Sequence, residues 1–342
     1  MTGHSIVVVG ASAGGLEALQ ALVAGLPSDF PAAVFVVWHI SAESPGLLPQ
    51  ILAHHGKLPV RHAEDGAPIK LGTIYVAPPD RHLVLKDDRM RLTRGPKENG
   101  FRPAIDPLFR SAALAYGSQV IGVILSGALD DGTAGLAAIK SRGGLAVVQD
   151  PEEALNPMMP RSAFIHVSVD HKVSAQSMGP LLADLVDRVV EGEPPVSKTL
   201  EIETRIALEE IPMQAGVMEL GKLSPYTCPE CHGSLVQITA DGILRFRCHT
   251  GHAFSVGSLL AEVGETIEET LWSAIRGIEE HVMLLQQVAQ EMVSTGHTTE
   301  AQQLQHQARE AEQQAQLVRL VVLRRDQKLY TATSIAAESS AS

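Results

Sequence analysis

Two groups of residues in this 342-residue sequence have the types and spacing to do chemistry. The first is GASAGG at 10–15, where Ser12 stands between Gly10 and Gly14 in the GxSxG pattern of a nucleophile elbow. The small neighbours permit a sharp strand-to-helix turn, and a helix starting there aims backbone N–H groups at charge developing beside the hydroxyl. A serine hydroxyl also needs a base within hydrogen-bond reach and an acid to orient that base. His39 follows the apolar run AVFVVW, and Asp130 and Asp131 follow VIGVIL. If the three runs are parallel strands of one sheet, all three ends lie on one edge, so Ser12, His39 and an aspartate converge. One aspartate would hold the imidazole and the other would cap the following helix. The competing reading of GASAGG is a glycine-rich anion cradle for a nucleotide. Ser12 occupies the second glycine of GxGxxG, however, and there is no GK[ST].

The second group is CPECHG at 228–233 with RCHTGHAF at 247–254. Cys228, Cys231 and Cys248 use every cysteine in the chain, and two knuckles joined by a short hairpin present them at zinc-ribbon spacing. His232, His249 and His252 all compete for the fourth position. Four protein ligands leave no open site for water, so the expected role of Zn2+ is structural, supplying most of the folding energy of a segment with little core.

The elements that must position these residues are legible in the pattern. IVVV (6–9), AVFVVW (33–38), TIYVA (73–77), VIGVIL (120–125) and LAVVQ (145–149) are apolar without alternation, which suits strands buried on both faces. LEALQALVAGL (16–26) has helical spacing. The fold class expected is α/β, a doubly wound, mostly parallel sheet over 1–190. The stretch 72–93 alternates more and carries a double proline and Asp87-Asp88, so it reads as a hairpin or edge element. The charged, proline-bearing piece 191–222 reads as a linker, 223–256 as the zinc-ribbon-like module and 257–330 as an antiparallel helical hairpin. Gly296 and the Thr299/Gln302 pair mark its turn. Residues 331–342 are small and polar and read as a disordered tail.

Composition limits the partners. With 27 basic and 39 acidic residues the net charge is −12, which argues against nucleic acid or an anionic membrane as main partner. No apolar stretch approaches the ~18 residues of a spanning helix. MTGHSIVVVG lacks a basic secretory n-region, so the cytoplasm is expected.

The region 5–187 resembles the catalytic domain of the CheB-type protein-glutamate methylesterases of bacterial chemotaxis. The resemblance rests on IVVVGASAGG, VVWHIS, RPAIDPLFRSAA (102–113), VILSGALDDGTAG and NPMMPRSA (156–163). It implies Ser12 as nucleophile, His39 as general base and Asp131 as orienting acid, with Asp130 a structural neighbour. The implied activity is hydrolysis of glutamate γ-methyl esters on a receptor or other signalling protein, with possible deamidation of glutamine. Backbone N–H groups at Ala13 and in the 127–129 loop would stabilise the oxyanion. The Gly251-His252 pair resembles a form seen in extended members of the family, which favours His252 as fourth metal ligand. There are departures. Ala13 replaces a hydroxyl residue, ISAESPG replaces a Met-Pro style loop, and Leu129 replaces a glycine. No receiver domain precedes residue 5, so control by aspartyl phosphate in cis is not expected. The helical hairpin would bind a partner or a second copy. A scaffold that keeps the esterase fold and binds partners through the zinc-helix module is the alternative. Arg102 and Arg110 read as surface ion pairs or an anchor for an acidic substrate, Met158 and Met159 as pocket or core, and His54, His55, His62 and His82 as surface residues.

Overall fold

A computed structural model describes residues 5–186, 188, 192 and 194–338, with side chains in the last helix to Arg324. In chain order the first unit contains β1 (Ile6–Ala11), α1 (Leu16–Gly25), β2 (Ala33–Trp38), α2 (Leu48–Ala53), β3 (Val60–His62), β4 (Ile74–Val76), β5 (His82–Lys86) and β6 (Arg89–Thr93). Then come α3 (Ile105–Tyr116), β7 (Val120–Ile124), α4 (Thr133–Ser141), β8 (Leu145–Gln149), α5 (Met158–His166), β9 (His171–Val173) and α6 (Ala175–Val186). They are followed by α7 (Lys198–Ala207), α8 (Pro212–Ala215), β10 (Lys222–Thr227), β11 (Ser234–Ala240), β12 (Ile243–Cys248) and β13 (Ala253–Ser255). Two long helices, α9 (Val256–Ser294) and α10 (Thr298–Glu338), end the described chain.

Seven strands form one sheet in the order β3-β4-β2-β1-β7-β8-β9, and every pairing in it is parallel. Its β-branched strands are buried on both faces. Ile6 and Val8 join the core under α3 and α4, while Val7, Val9 and Ala11 join the core under α1 and α6. That accounts for the absence of alternation in the sequence. The connection from β1 runs outward to β2 and the chain later returns to β7 on the other side of β1. The end of β1 is therefore the point where strand order reverses, the usual place for a site in an open α/β sheet.

Several expectations are corrected. In the 72–93 stretch, Ile74–Val76 is a parallel strand of the main sheet, and only β5 and β6 form a hairpin. Asp87 and Asp88 make its turn at φ 51° and 56°, which aspartate tolerates better than most residues. The 191–222 piece is not a bare linker. Ser197 caps α7 by accepting the Leu200 N–H at 3.2 Å, and Leu200 packs into the catalytic core. His82 is buried, accepting from the Ala104 N–H at 3.2 Å while Nε2 donates to the Pro96 carbonyl. Arg110 is also buried. The 331–342 piece expected to be disordered continues as helix to Glu338, where residues such as Ala336 and Ala337 favour helix, and 339–342 lie outside the described residues.

Residues up to Leu260 form one compact unit that includes the four-stranded antiparallel sheet β10-β11-β12-β13, and residues from Ala261 form a second. In the second, α9 and α10 make an antiparallel pair about Gly296, which sits at φ 86°. Val282, Ala308 and Ala311 fill its seam, and Arg319 pairs with Glu279 at 2.7 Å. Among the described residues no helix is long and apolar enough to cross a membrane.

Candidate active site and metal centre

Register brings the first two site residues together. Ala11 pairs with Trp38, so the next residue on each strand, Ser12 and His39, emerges at the same edge. The His39 N–H donates to the Ala11 carbonyl at 3.1 Å, and the Ser12 N–H donates to the Ser126 carbonyl at 2.9 Å, tying the turn to both neighbouring strands. The Trp38 indole N–H donates to the Ser12 carbonyl at 3.0 Å. Gly127 lies against the other side of Ser12. A Cβ there would meet Met159 Sδ at 2.0 Å and Ser12 Cβ at 2.9 Å, so the position has no room for a side chain.

Ser12 Oγ lies 3.1 Å from His39 Nδ1, and His39 Nε2 lies 2.8 Å from Asp131 Oδ2. Asp131 takes five hydrogen bonds. Besides His39, it accepts from the Ile105 N–H at 2.7 Å, Asn99 Nδ2 at 2.8 Å, the Gly132 N–H at 2.9 Å and the Asp106 N–H at 3.3 Å. Burial pushes its carboxyl pKa up, but the bonds from His39, Ile105 and Asn99 outweigh burial and the net shift is downward. An ionised Asp131 fixes the imidazole tautomer. Nε2 carries the hydrogen and donates to Asp131, which leaves the Nδ1 lone pair for the Ser12 hydroxyl. The His39 ring stacks on Phe101 with centroids 3.8 Å apart, which holds its plane.

Asp130 does not join this chain. It accepts a hydrogen bond from Ser255 Oγ, and burial raises its pKa. Ala13 follows Ser12 directly in the chain, and in the 127–129 loop the Gly127 N–H is already donated to the Asn156 carbonyl at 3.1 Å. Leu129, where the family pattern has glycine, adopts φ 58°. Arg102 is bound to Asp80, 2.8 Å from Nε. Met158 is exposed and Met159 is buried. A cleft of about 330 Å³ opens beside His39, lined by Ile40, Ser41, Lys97, Phe101 and Arg102.

Of the supporting residues, Asn99, Phe101 and Trp38 were not singled out from the sequence. Trp38 directly precedes His39, Phe101 directly precedes the RPAID motif and Asn99 lies three residues before it. Proximity to those motifs was the available signal.

The second cluster forms on β12 and the knuckles around it. Cys228, Cys231, Cys248 and His252 place their ligand atoms within 4.8 Å of one another. Zinc–ligand bonds of about 2.3 Å to sulfur and 2.0 Å to nitrogen predict tetrahedral edges of about 3.8 Å between sulfurs and 3.6 Å from sulfur to nitrogen. The Cys231–Cys248 sulfurs are 3.7 Å apart, and His252 Nδ1 lies 3.7 Å and 3.5 Å from the sulfurs of Cys228 and Cys248. The donor set and its spacing therefore fit tetrahedral zinc. Neither His232 nor His249 belongs to the cluster. Thr250, unremarked in the sequence, brings its hydroxyl to 2.9 Å from Cys248 Sγ.

Comparison with known proteins agrees with the geometry. The family model for CheB methylesterase matches residues 7–182. The chain belongs to the CheB methylesterase family. A protein-glutamate methylesterase/protein-glutamine glutaminase of Anaeromyxobacter dehalogenans is 41% identical over 180 residues, 53% of each chain. The Thermotoga maritima protein of that name is 36% identical over 185 residues, covering 53% of this chain and 54% of its own. A Leptospira interrogans protein provisionally given the same name is 42% identical over 183 residues, 53% of this chain but 95% of its own. The crystal structure of the Thermotoga maritima CheB methylesterase catalytic domain superposes with TM-score 0.52 at 35% identity, covering 54% of this chain and all of that domain. The CheB methylesterase match ends before the Cys/His module begins.

Proposed function

We propose that this CheB-family hydrolase cleaves glutamate γ-methyl esters on a methylated receptor or other signalling protein, releasing methanol, and can deamidate glutamine at the same position. The observation that carries this reading is the hydrogen-bond chain Ser12–His39–Asp131 across three strand ends. Ser12 Oγ attacks the ester carbonyl while its proton passes to His39 Nδ1, and the ionised Asp131 stabilises the imidazolium through Nε2–H. The Ala13 N–H would stabilise the tetrahedral oxyanion, a contribution of about 10²–10³ in rate. Collapse of the intermediate breaks the bond to the methoxy oxygen, which takes the proton from Nδ1 and leaves as methanol. Water, deprotonated by the same nitrogen, then attacks the acyl-enzyme and returns Ser12 and a glutamate side chain.

Zinc held by Cys228, Cys231, Cys248 and His252 would be structural, since four protein ligands close its coordination sphere.

The experiment is labelling with a fluorophosphonate serine probe, followed by methanol release from methylated receptor peptides. Labelling and methanol release should be present in wild type, absent in Ser12→Ala, and reduced about 10⁴-fold in Asp131→Asn, which favours the wrong tautomer. A folded wild type that neither labels nor releases methanol would leave the scaffold reading. Metal analysis should find one zinc per chain, lost in a Cys231→Ser, Cys248→Ser double variant.

A further inference from the structure

Asn99 sits at the junction between the family domain and the Cys/His module, 5% exposed and at φ 53°. Its Nδ2 donates to Asp131 Oδ1 at 2.8 Å. Its Oδ1 accepts from the Ser255 N–H at 2.8 Å and from Ser258 Oγ at 2.9 Å. The Ser255 N–H can only donate, so it fixes which end of the amide faces the module and which faces the triad. The Asn99 backbone N–H is also taken by the Ala253 carbonyl at 2.7 Å. On the preceding residue, Glu98 is bound by Arg247 of β12 at 2.9 Å. The segment that carries Asn99, Phe101 and Ile105, three groups touching His39 or Asp131, is thus fastened by Arg247, Ala253, Ser255 and Ser258, which lie beside or just after the last two metal ligands, Cys248 and His252. Ser255 and Ser258 lie far beyond residue 182, where the family match ends.

From this arrangement we infer that Asn99 is a positioning residue for the catalytic aspartate, and that Ser255, at the end of β13 in the Cys/His module, and Ser258, in the first turn of α9, set its amide. The module then completes the outer shell of the triad. This rests on the hydrolase reading above. The Asp131 carboxylate keeps its aim at His39 Nε2 only while its other oxygen is held, and Asn99 Nδ2 is the one side-chain donor on that oxygen among the described residues. A rotated Asp131 would leave the imidazole tautomer and plane less well defined, which slows proton transfer without altering the cleft beside His39.

The test uses the full, zinc-loaded chain and a small activated ester, p-nitrophenyl acetate, with Ser12 sites counted by fluorophosphonate titration. Asn99→Ala and Ser258→Ala are each expected to lower kcat per titrated site by about tenfold, the lower end of the range for outer-shell partners of metal-bound ligands, with KM unchanged within about twofold. A merely structural role would reduce the titratable fraction and leave kcat per site as in wild type, and that result would overturn the proposal. Should Asn99→Ala not fold, Asn99→Asp decides instead, because it keeps the Oδ1 acceptor for Ser255 and Ser258 and removes the Nδ2 donor to Asp131. A wild type without Ser12-dependent turnover would sink the hydrolase reading itself. Wild-type turnover with both variants unchanged would sink only the positioning role.

Discussion

Glu98 and Arg247, 149 positions apart in the chain, meet at 2.9 Å with 3% and 0% of their side chains exposed. They belong to a buried set in which Glu98 also pairs with Arg110, and Glu203 pairs with both Arg245 and Arg247. Burial pushes the Glu98 carboxyl up, but Arg110 and Arg247 hold it below the usual carboxylate range. Such charges are costly to bury and far costlier to leave unpaired.

Arg247→Met keeps much of the side-chain volume and removes the charge. It is expected to destabilise the first unit by about 3 kcal/mol, because Glu98 and Glu203 each lose a partner inside the protein. Urea unfolding at neutral pH would measure this, and a loss well under 1 kcal/mol would mean that water reaches the set.

Gly127→Ala tests how closely the nucleophile turn is packed. The new methyl group would drive into Met159 Sδ and press on Ser12 Cβ. Overpacking of this kind costs about 1–3 kcal/mol. A fall in probe labelling larger than the fall in stability is expected, since the displaced atom is attached to the nucleophile. Labelling at the wild-type rate would show that Met159 swings away freely.

Asp106 gives a pH signature. Burial raises its carboxyl first and the charge of Asp131 adds to that, against the opposing pull of Arg110, so its pKa rises from 3.8 to about 7. Between about pH 4 and pH 7 the native chain holds a proton that the unfolded chain has lost. The stability this contributes is therefore complete at low pH and disappears as pH rises through about 7. Asp106→Asn keeps a neutral acceptor for the Gly135 N–H, which Asp106 Oδ1 takes at 2.7 Å. Relative to wild type, the variant should gain stability between about pH 5 and pH 8, measured by urea unfolding at both. A difference that does not change with pH would refute the shift.

The sheet and the triad were legible because their signals are local. A buried parallel strand is a short unbroken apolar run, and a residue at its end inherits a known edge, so Ser12, His39 and Asp131 could be placed from three such runs. The edge strands β3 and β9 are three residues long, two of them polar in each, below the length at which periodicity speaks. The segment 191–222 looked like a linker because its charges dominate the composition. Glu203 is among those charges, yet it is buried against Arg245 at 2.7 Å, a partner 42 positions away that no local pattern reveals. Asn99 was silent for the same reason. Its four partners, Asp131, Ala253, Ser255 and Ser258, come from two stretches far from it in the chain.

Strand β1 lies in the middle of the seven-stranded sheet, with partners on both sides and its apolar side chains fully covered. Amide hydrogens there should be among the slowest in the protein to exchange with solvent, while those of 97–106, held by side chains and irregular backbone, should exchange earlier. The nucleophile and its aligning groups thus sit in regions of unequal local stability. On gentle heating the enzyme should fall silent with Ser12 still seated in an intact sheet, and on cooling it should recover by re-docking that one segment instead of refolding the domain.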